Sequence, residues 1–200
     1  MQRLLEMRHH DPFTILGRHW VADNHWRVRA LLPGAVSAAI EGPSLPMQRI
    51  GNSDLFEWIG ADIIPLHYLI RWEDHKGDCH YSCDPYSFAP QLSDMDMHLF
   101  AEGSHQHIYR KLGSHLHRID HVNGVLFAVW APNAQRVSVV GDHNNWDGRV
   151  NSMRCRGNSG IWELFVPGLG IDARYKYEIR HANSDRISLK ADPYAQRSEL

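Results

Sequence analysis

The sequence has no apolar run long enough to span a bilayer, only three cysteines in 200 residues, and no excess of charge of one sign. Each shortage excludes a class of protein. The first ten residues, Met1 to His10, include Arg3, Glu6 and Arg8 and have no apolar core, so they read as neither a signal peptide nor a transmembrane helix. Cys79, Cys83 and Cys155 form an odd, sparse set, unlike a secreted disulfide framework, and the expected compartment is cytoplasmic. Lysine and arginine total 21 against 23 acidic residues, mixed along the chain, for a net charge of −2. No basic stripe faces a phosphate backbone, so neither nucleic acid nor membrane is expected as a partner. Charged residues (22%) and hydrophobic residues (43%) stand near globular averages, which argues against wholesale disorder.

What the chain has in quantity is histidine, fifteen residues scattered along its length. They gain charge below about pH 6.5, but their scatter reads as surface choice rather than a titrating switch. His105/His107 and His115/His117 alternate and read as solvated linker. Cys79 and Cys83, with His75 and His80 nearby, bring thiols and imidazoles into one stretch. The CxxxC spacing is poor for zinc, which takes four ligands in structural sites, and no second pair follows; no metal site is assigned.

The chain also repeats itself once. Leu16-Gly-Arg-His19, Val28-Arg-Ala-Leu-Leu-Pro33, Phe56-Glu57, His67-Tyr-Leu-Ile-Arg71 and Asp84-Pro-Tyr86 return in order. Their counterparts are Leu112-Gly-Ser-His115, Phe127-Ala-Val-Trp-Ala-Pro132, Trp162-Glu163, Lys176-Tyr-Glu-Ile-Arg180 and Asp192-Pro-Tyr194. The offset grows from 96 (His19 to His115) to 108 (Asp84 to Asp192), so the second copy has gained loop residues. A period of this size means two whole domains rather than a solenoid. The Asp of each Asp-Pro-Tyr reads as turn chemistry, its carboxylate accepting backbone amides.

Within each copy, period-two runs separated by turns argue for short antiparallel strands. Val28 and Ala30 alternate with Arg27 and Arg29; Trp162, Leu164 and Val166 alternate with Glu163 and Phe165. The expected fold is all-β: two tandem Ig-like β-sandwich modules joined by a short helical linker. The expected boundaries are 1–90 for the first module, 91–112 for the helix and linker, and 113–200 for the second. In the linker, Leu92, Met95, Leu99 and Phe100 share a helical face, and Ser93 followed by Asp96 resembles a helix start. This helix is expected to pack between the modules. By strand phase, Trp130 and Trp162 are expected in the core, as are Trp20, Trp26, Trp58 and Trp72.

One stretch of the second copy has no counterpart in the first. Gly141-Asp-His-Asn-Asn-Trp-Asp-Gly148 stands where the first copy has only Glu41-Gly-Pro-Ser44. Asn144 and Asn145 supply amide donors and acceptors and Trp146 a flat apolar face; Lys176 lies on the outward phase of a later strand. That mixture suits a sugar, whose C–H face stacks on an indole while its hydroxyls take polar hydrogen bonds. The other reading makes Trp146 a plug for the end of the sandwich.

Phe127-Ala-Val-Trp-Ala-Pro-Asn-Ala134, Asn144-Asn-Trp-Asp-Gly148, Gly160-Ile-Trp-Glu-Leu-Phe-Val-Pro167 and Lys190-Ala-Asp-Pro-Tyr194 together resemble the glycogen-binding-type module of branching enzymes. Asp11-Pro-Phe-Thr-Ile-Leu-Gly-Arg-His19 resembles the extra N-terminal module of the longer bacterial members, so the whole chain resembles the N-terminal region of glycogen (1,4-α-glucan) branching enzymes. The sequence departs at His143, where the family usually has an aromatic residue, mostly phenylalanine, and lacks a second stacking tryptophan near Asn183 to Ile187.

The resemblance implies a non-catalytic region that positions α-glucan, of the glycogen or amylose type, and supports a catalytic barrel of the same protein expected after residue 200. That family cuts an α-1,4 chain and transfers it to a 6-hydroxyl with retention, which takes two carboxyl groups about 5–5.5 Å apart. The resemblance places them on the barrel. No catalytic residue and no cofactor are therefore assigned within 1–200, and Trp146, Asn144, Asn145 and Lys176 are the candidate carbohydrate contacts. The rival reading is a stand-alone glycogen-binding or regulatory module.

Overall fold

The computed structural model describes residues 1–197. It divides into two compact units: Met1 with Phe13–Ala89, and Gln2–Pro12 with the chain from Pro90 onward. The short helix α1 (Gln2–Leu5) and the strand-less segment after it belong to the second unit. There Cys155 N–H donates to His10 O at 3.2 Å and Arg8 pairs with Asp185 at 2.8 Å.

In the first unit, seven antiparallel strands follow one another: β1 (Gly17–Ala22), β2 (His25–Leu31), β3 (Ala35–Ile40), β4 (Leu45–Arg49), β5 (Leu55–Gly60), β6 (Leu69–Asp74) and β7 (Cys79–Cys83). Their spatial order is β1-β2-β5-β4-β3-β6-β7. Strand β4 turns the corner of the sheet, pairing with β3 through Leu45–Met47 and with β5 through Gln48 and Arg49. The folded-over halves enclose Val28, Ala30, Phe56 and Trp58 from one side and Ala38, Ile40 and Ile70 from the other. Alternation puts these side chains on one face, as the period-two pattern requires.

The second unit repeats the plan. After α2 (Asp94–Ala101) come β8 (Gly113–Ile119), β9 (Val122–Trp130), β10 (Ala134–Gly141), β11 (Arg154–Cys155), β12 (Ile161–Pro167), β13 (Tyr175–His181) and β14 (Ile187–Lys190). Two sheets form, β11-β12-β9-β8 and β10-β13-β14. A bridge between Ser138 and Ser152 links β10 to the segment before β11, at the corner that β4 turns in the first unit. Both opening hairpins turn through two left-handed residues, Asp23-Asn24 and Asp120-His121, the geometry of tight turns that match strand twist.

The repeated motifs meet at one place in each unit. Tyr68 OH donates to the Asp84 carboxylate, which also accepts from Tyr86 N–H at 2.9 Å. Tyr177 OH donates to Asp192 at 3.3 Å, and Asp192 accepts from Tyr194 N–H at 2.8 Å. His19 bonds Leu16 O at 2.9 Å, and His115 bonds Leu112 O at 3.0 Å. Gly17 and Gly113 both hold φ near +90° or above, at +87° and +104°, and a Cβ on Gly17 would stand 2.6 Å from Tyr86 O.

The helical segment has its cap as read: Ser93 Oγ accepts from Asp96 N–H at 3.1 Å, and Ser93 N–H donates back to Asp96 at 3.0 Å. Its apolar face differs from the expected one. Leu92 is buried with Leu112, Ala128 and Ile161 of the second unit, and Met97 and Phe100 pack there; Met95 is exposed. His105 is not solvated linker, because its ring bonds the Asp96 carboxylate at 3.1 Å.

This cover explains two tryptophans. Strand β9 is buried on both faces from Val125 to Val129, and on the outer face Ala128 is covered by the segment around α2. Trp162 sits on the core face and is 2% exposed. Trp130 shares the phase of Ala128 on the outer face, touches Phe100 edge-on at 5.9 Å and is 54% exposed, so its assignment to the core is corrected. Trp20 is corrected likewise: it lies on the edge strand β1, 55% exposed.

Among the described residues, no helix is long and apolar enough to cross a membrane, and no three His, Cys, Asp or Glu side chains form a metal-holding group. Cys79 and Cys83 end one strand, and four residues of strand rise separate them by roughly 13 Å.

Candidate functional site

The loop between β10 and β11 is built from the inside outward. Arg136 is buried on β10, and its guanidinium donates to Ser138 Oγ at 2.6 Å, to Gly148 O and to the Glu178 carboxylate on β13. Ser138 Oγ donates to the same Gly148 carbonyl at 2.9 Å. A buried guanidinium is tolerated when its charge is paired; here the two Nη groups are bonded while Nε has no partner, and the Nη bonds fix the far end of the loop.

Asn144 fixes the near end. Its amide nitrogen donates to Val139 O at 2.8 Å and to Asn151 Oδ1 at 3.0 Å, and its oxygen accepts from Gly141 N–H at 3.0 Å. Both amide hydrogens are engaged in bracing the loop, so its fit as a ligand contact is reduced to one remaining lone pair. Asn145, at φ +53°, and Trp146, at φ +60°, are both left-handed, and both are exposed at the tip.

Trp146 is 41% exposed, which does not describe a plug. Its indole N–H donates to Asp142 Oδ1 at 3.0 Å, and the other carboxylate oxygen accepts from Arg174 Nε at 2.7 Å. These bonds hold the Asp142 carboxyl below its ordinary range, the indole bond contributing most. The ring is thereby oriented while much of its surface stays in water. Lys176 pairs across the sheet with Val140, which puts it on the same face as Arg136, Ser138 and Glu178, the face that Gly148 approaches. It is exposed.

His143 lies beneath the loop. Neither ring nitrogen has a hydrogen-bond partner, and burial pushes its pKa down against the opposing pull of the Asp142 charge. The imidazole acts as a flat filler with two unsatisfied polar atoms.

Asp142 and Arg136 were not singled out from the sequence. Asp142 stands four residues before Trp146, and that spacing in a Gly-bounded loop is the signal for its hydrogen bond. Arg136 had none, since a charged residue in strand phase reads as solvent-facing.

Residues 111–195 match the family described as Carbohydrate-binding module 48 (Isoamylase N-terminal domain), and residues 1–86 match the alpha-1,4-glucan branching enzyme GlgB, N-terminal domain. The chain is 50% identical over its whole length to 1,4-alpha-glucan branching enzyme GlgB of Methylococcus capsulatus and 52% identical to that of Nitrosococcus oceani, covering 27% of each. It is 48% identical over 98% of its length to that of Cellvibrio japonicus, covering 28% of it. The chain therefore spans about a quarter of the length of these curated relatives, none of which is a stand-alone module. With both family descriptions met in order and the likeness running the length of the chain, it belongs to the 1,4-alpha-glucan branching enzyme family, as the counterpart of its N-terminal region.

Proposed function

We propose that the chain contributes α-glucan positioning to a branching reaction carried out elsewhere in the protein, through the loop that presents Trp146. The supporting observation is the partly exposed indole, oriented by Asp142, above a sheet face on which Lys176 is exposed. A glucosyl ring stacks its C–H face on the indole, while Asn145 and Lys176 reach its hydroxyls. Asn144 serves the same site by bracing the loop. A platform of one ring supports millimolar rather than micromolar affinity, about −4 kcal/mol.

Such a weak contact still acts on a reaction if it is tethered to it, because tethering raises the effective concentration of the bound chain. The reading is tested by electrophoresis in gels containing glycogen or amylose: the parent chain is expected to be retarded, and migration indifferent to glucan would end the proposal. The same 200 residues are expected to form no α-1,6 linkages on amylose, since the family's paired carboxyl groups are implied on a barrel and none is assigned here.

A further inference from the structure

We propose that the first unit carries a second α-glucan contact, an indole strip formed by Trp20 and Trp26 with the Arg18 guanidinium beside it. The ligand class rests on the α-glucan reading of the Trp146 loop; the site itself rests on a comparison of the two units. In each, the first, second and fifth strands meet in matched rows. Arg18, Val28 and Trp58 form one row and Trp20, Trp26 and Gly60 the next. The corresponding rows of the second unit are Ser114, Phe127 and Leu164, then Leu116, Val125 and Val166. The second unit thus closes this end with aliphatic side chains; in the first, Trp58 belongs to the core and Trp26 packs against it, while Trp20 stands outside it, 55% exposed.

The indoles are arranged rather than merely present. Trp20 meets Trp26 edge-on, with ring centroids 5.3 Å apart, and remains more than half exposed. Arg18 Cζ stands 4.4 Å over the Trp26 ring, and its Nη1 donates to Ile64 O at 3.1 Å, so the guanidinium is held in place. Gly60 leaves the space that the Trp58 indole occupies, and any Cβ there would collide with that ring. The strip therefore continues from the rigid core to the sheet edge, with little side-chain freedom to lose on binding.

A neutral polyol fits this surface best. Indole takes the C–H face of a sugar, and a guanidinium donates to hydroxyls without requiring a charged ligand. The strip ends at the exposed polar hairpin Asp23-Asn24-His25, whose side chains can also meet sugar hydroxyls. The inserted Trp146 loop has no counterpart in the first unit, so the two contacts occupy different places in a common fold.

The test uses the full chain in glycogen-containing gels, comparing the parent, Trp20→Leu, Trp146→Ala and the double variant. Leucine is the residue the second unit carries in that row, so the fold is expected to survive, with thermal melts as the check; Trp20→Phe keeps a ring should leucine destabilise. Each single change is expected to weaken retention roughly three- to tenfold, and the double variant by about the product. Retention unchanged in Trp20→Leu but lost in Trp146→Ala would overturn this proposal and leave the Trp146 reading intact. A parent chain that glycogen does not retard would overturn both. Unchanged retention with loss of self-association in sedimentation would make the strip a contact between copies, and the proposal would fail.

Discussion

The Tyr68 hydroxyl donates to the buried Asp84 carboxylate, and the same bond joins Tyr177 to Asp192 in the second unit. Burial raises the Asp84 pKa to about 6, against the Tyr68 and Tyr86 hydrogen bonds that favour the ionised form. Its unfolded value lies near 3.9. The folded state therefore binds this proton more tightly, and the contribution falls as pH rises from about 4 to about 6, then levels off.

Asp84→Asn removes that titration while keeping an acceptor for Tyr86 N–H. The stability of the asparagine variant relative to the parent is expected to rise by roughly 2–3 kcal/mol between pH 4 and pH 7. Urea unfolding of both proteins across that range measures the difference. A difference independent of pH would show that Asp84 titrates alike in folded and unfolded chains.

His143→Phe places a hydrocarbon ring where the imidazole leaves two buried nitrogens unpartnered. A gain of about 1–3 kcal/mol is expected at neutral pH. Because the folded state depresses the His143 pKa, the parent loses stability as pH falls through about 6.5 and below, and the variant does not. Melting at pH 7.5 and pH 5.5 should show a larger gap at the lower pH; a variant that melts below the parent at both contradicts the assignment.

Trp146→Ala and Trp162→Ala separate binding from packing. The first is expected to lose retention by glycogen with little change in melting. The second removes a core ring whose N–H donates to Ala131 O at 3.0 Å, and should cost about 3–5 kcal/mol. Gel retention paired with melting distinguishes them, and equal retention for Trp146→Ala and the parent would make that loop purely structural.

Glu163 is only 1% exposed and accepts from Leu92 N–H at 2.9 Å and Arg156 Nη1 at 2.8 Å, tying residues 91–92 to β12. Glu163→Ala leaves Arg156 with only the Leu92 carbonyl and the exposed Asp94 and deprives two backbone donors of their acceptor, at a cost of roughly 2–5 kcal/mol. Amide exchange at Leu92 should accelerate well beyond that of β9. Exchange unchanged there would mean that Leu92 packing alone holds the segment.

Much of this was legible in the chain. Period-two runs, the ordered repeat and the Ser93 cap each report local physics, and the strands, the shared topology and α2 followed from them. Trp130 and Met95 were misplaced because strand and helix periodicity identify faces without saying what covers each; the cover on Ala128 of β9 comes from Leu92, Met97, Phe100, Ile108 and Leu112, outside the strand's own sequence. Trp20 was misplaced because edge position depends on strand order, which the β1 sequence does not encode. Trp146 was legible as a loop residue, but its orientation by Asp142, and the burial of Arg136, depend on contacts formed only after the loop closes over the sheet.

The placement of residues 2–12 with the second unit makes the first unit an insertion within the chain rather than a leading bead on a string. During synthesis, β1 to β7 are complete long before β11 exists to receive the carbonyl of His10. Residues 2–12 thus emerge before the first unit yet dock only after β11 has followed it, and must remain soluble meanwhile. The same arrangement redraws the boundary for engineering. Cutting everything before residue 110 would strip the second unit of α1, α2 and the Gln91 and Leu92 amides that Glu163 accepts, whereas replacing 13–89 with a flexible linker removes the guest and leaves its host whole.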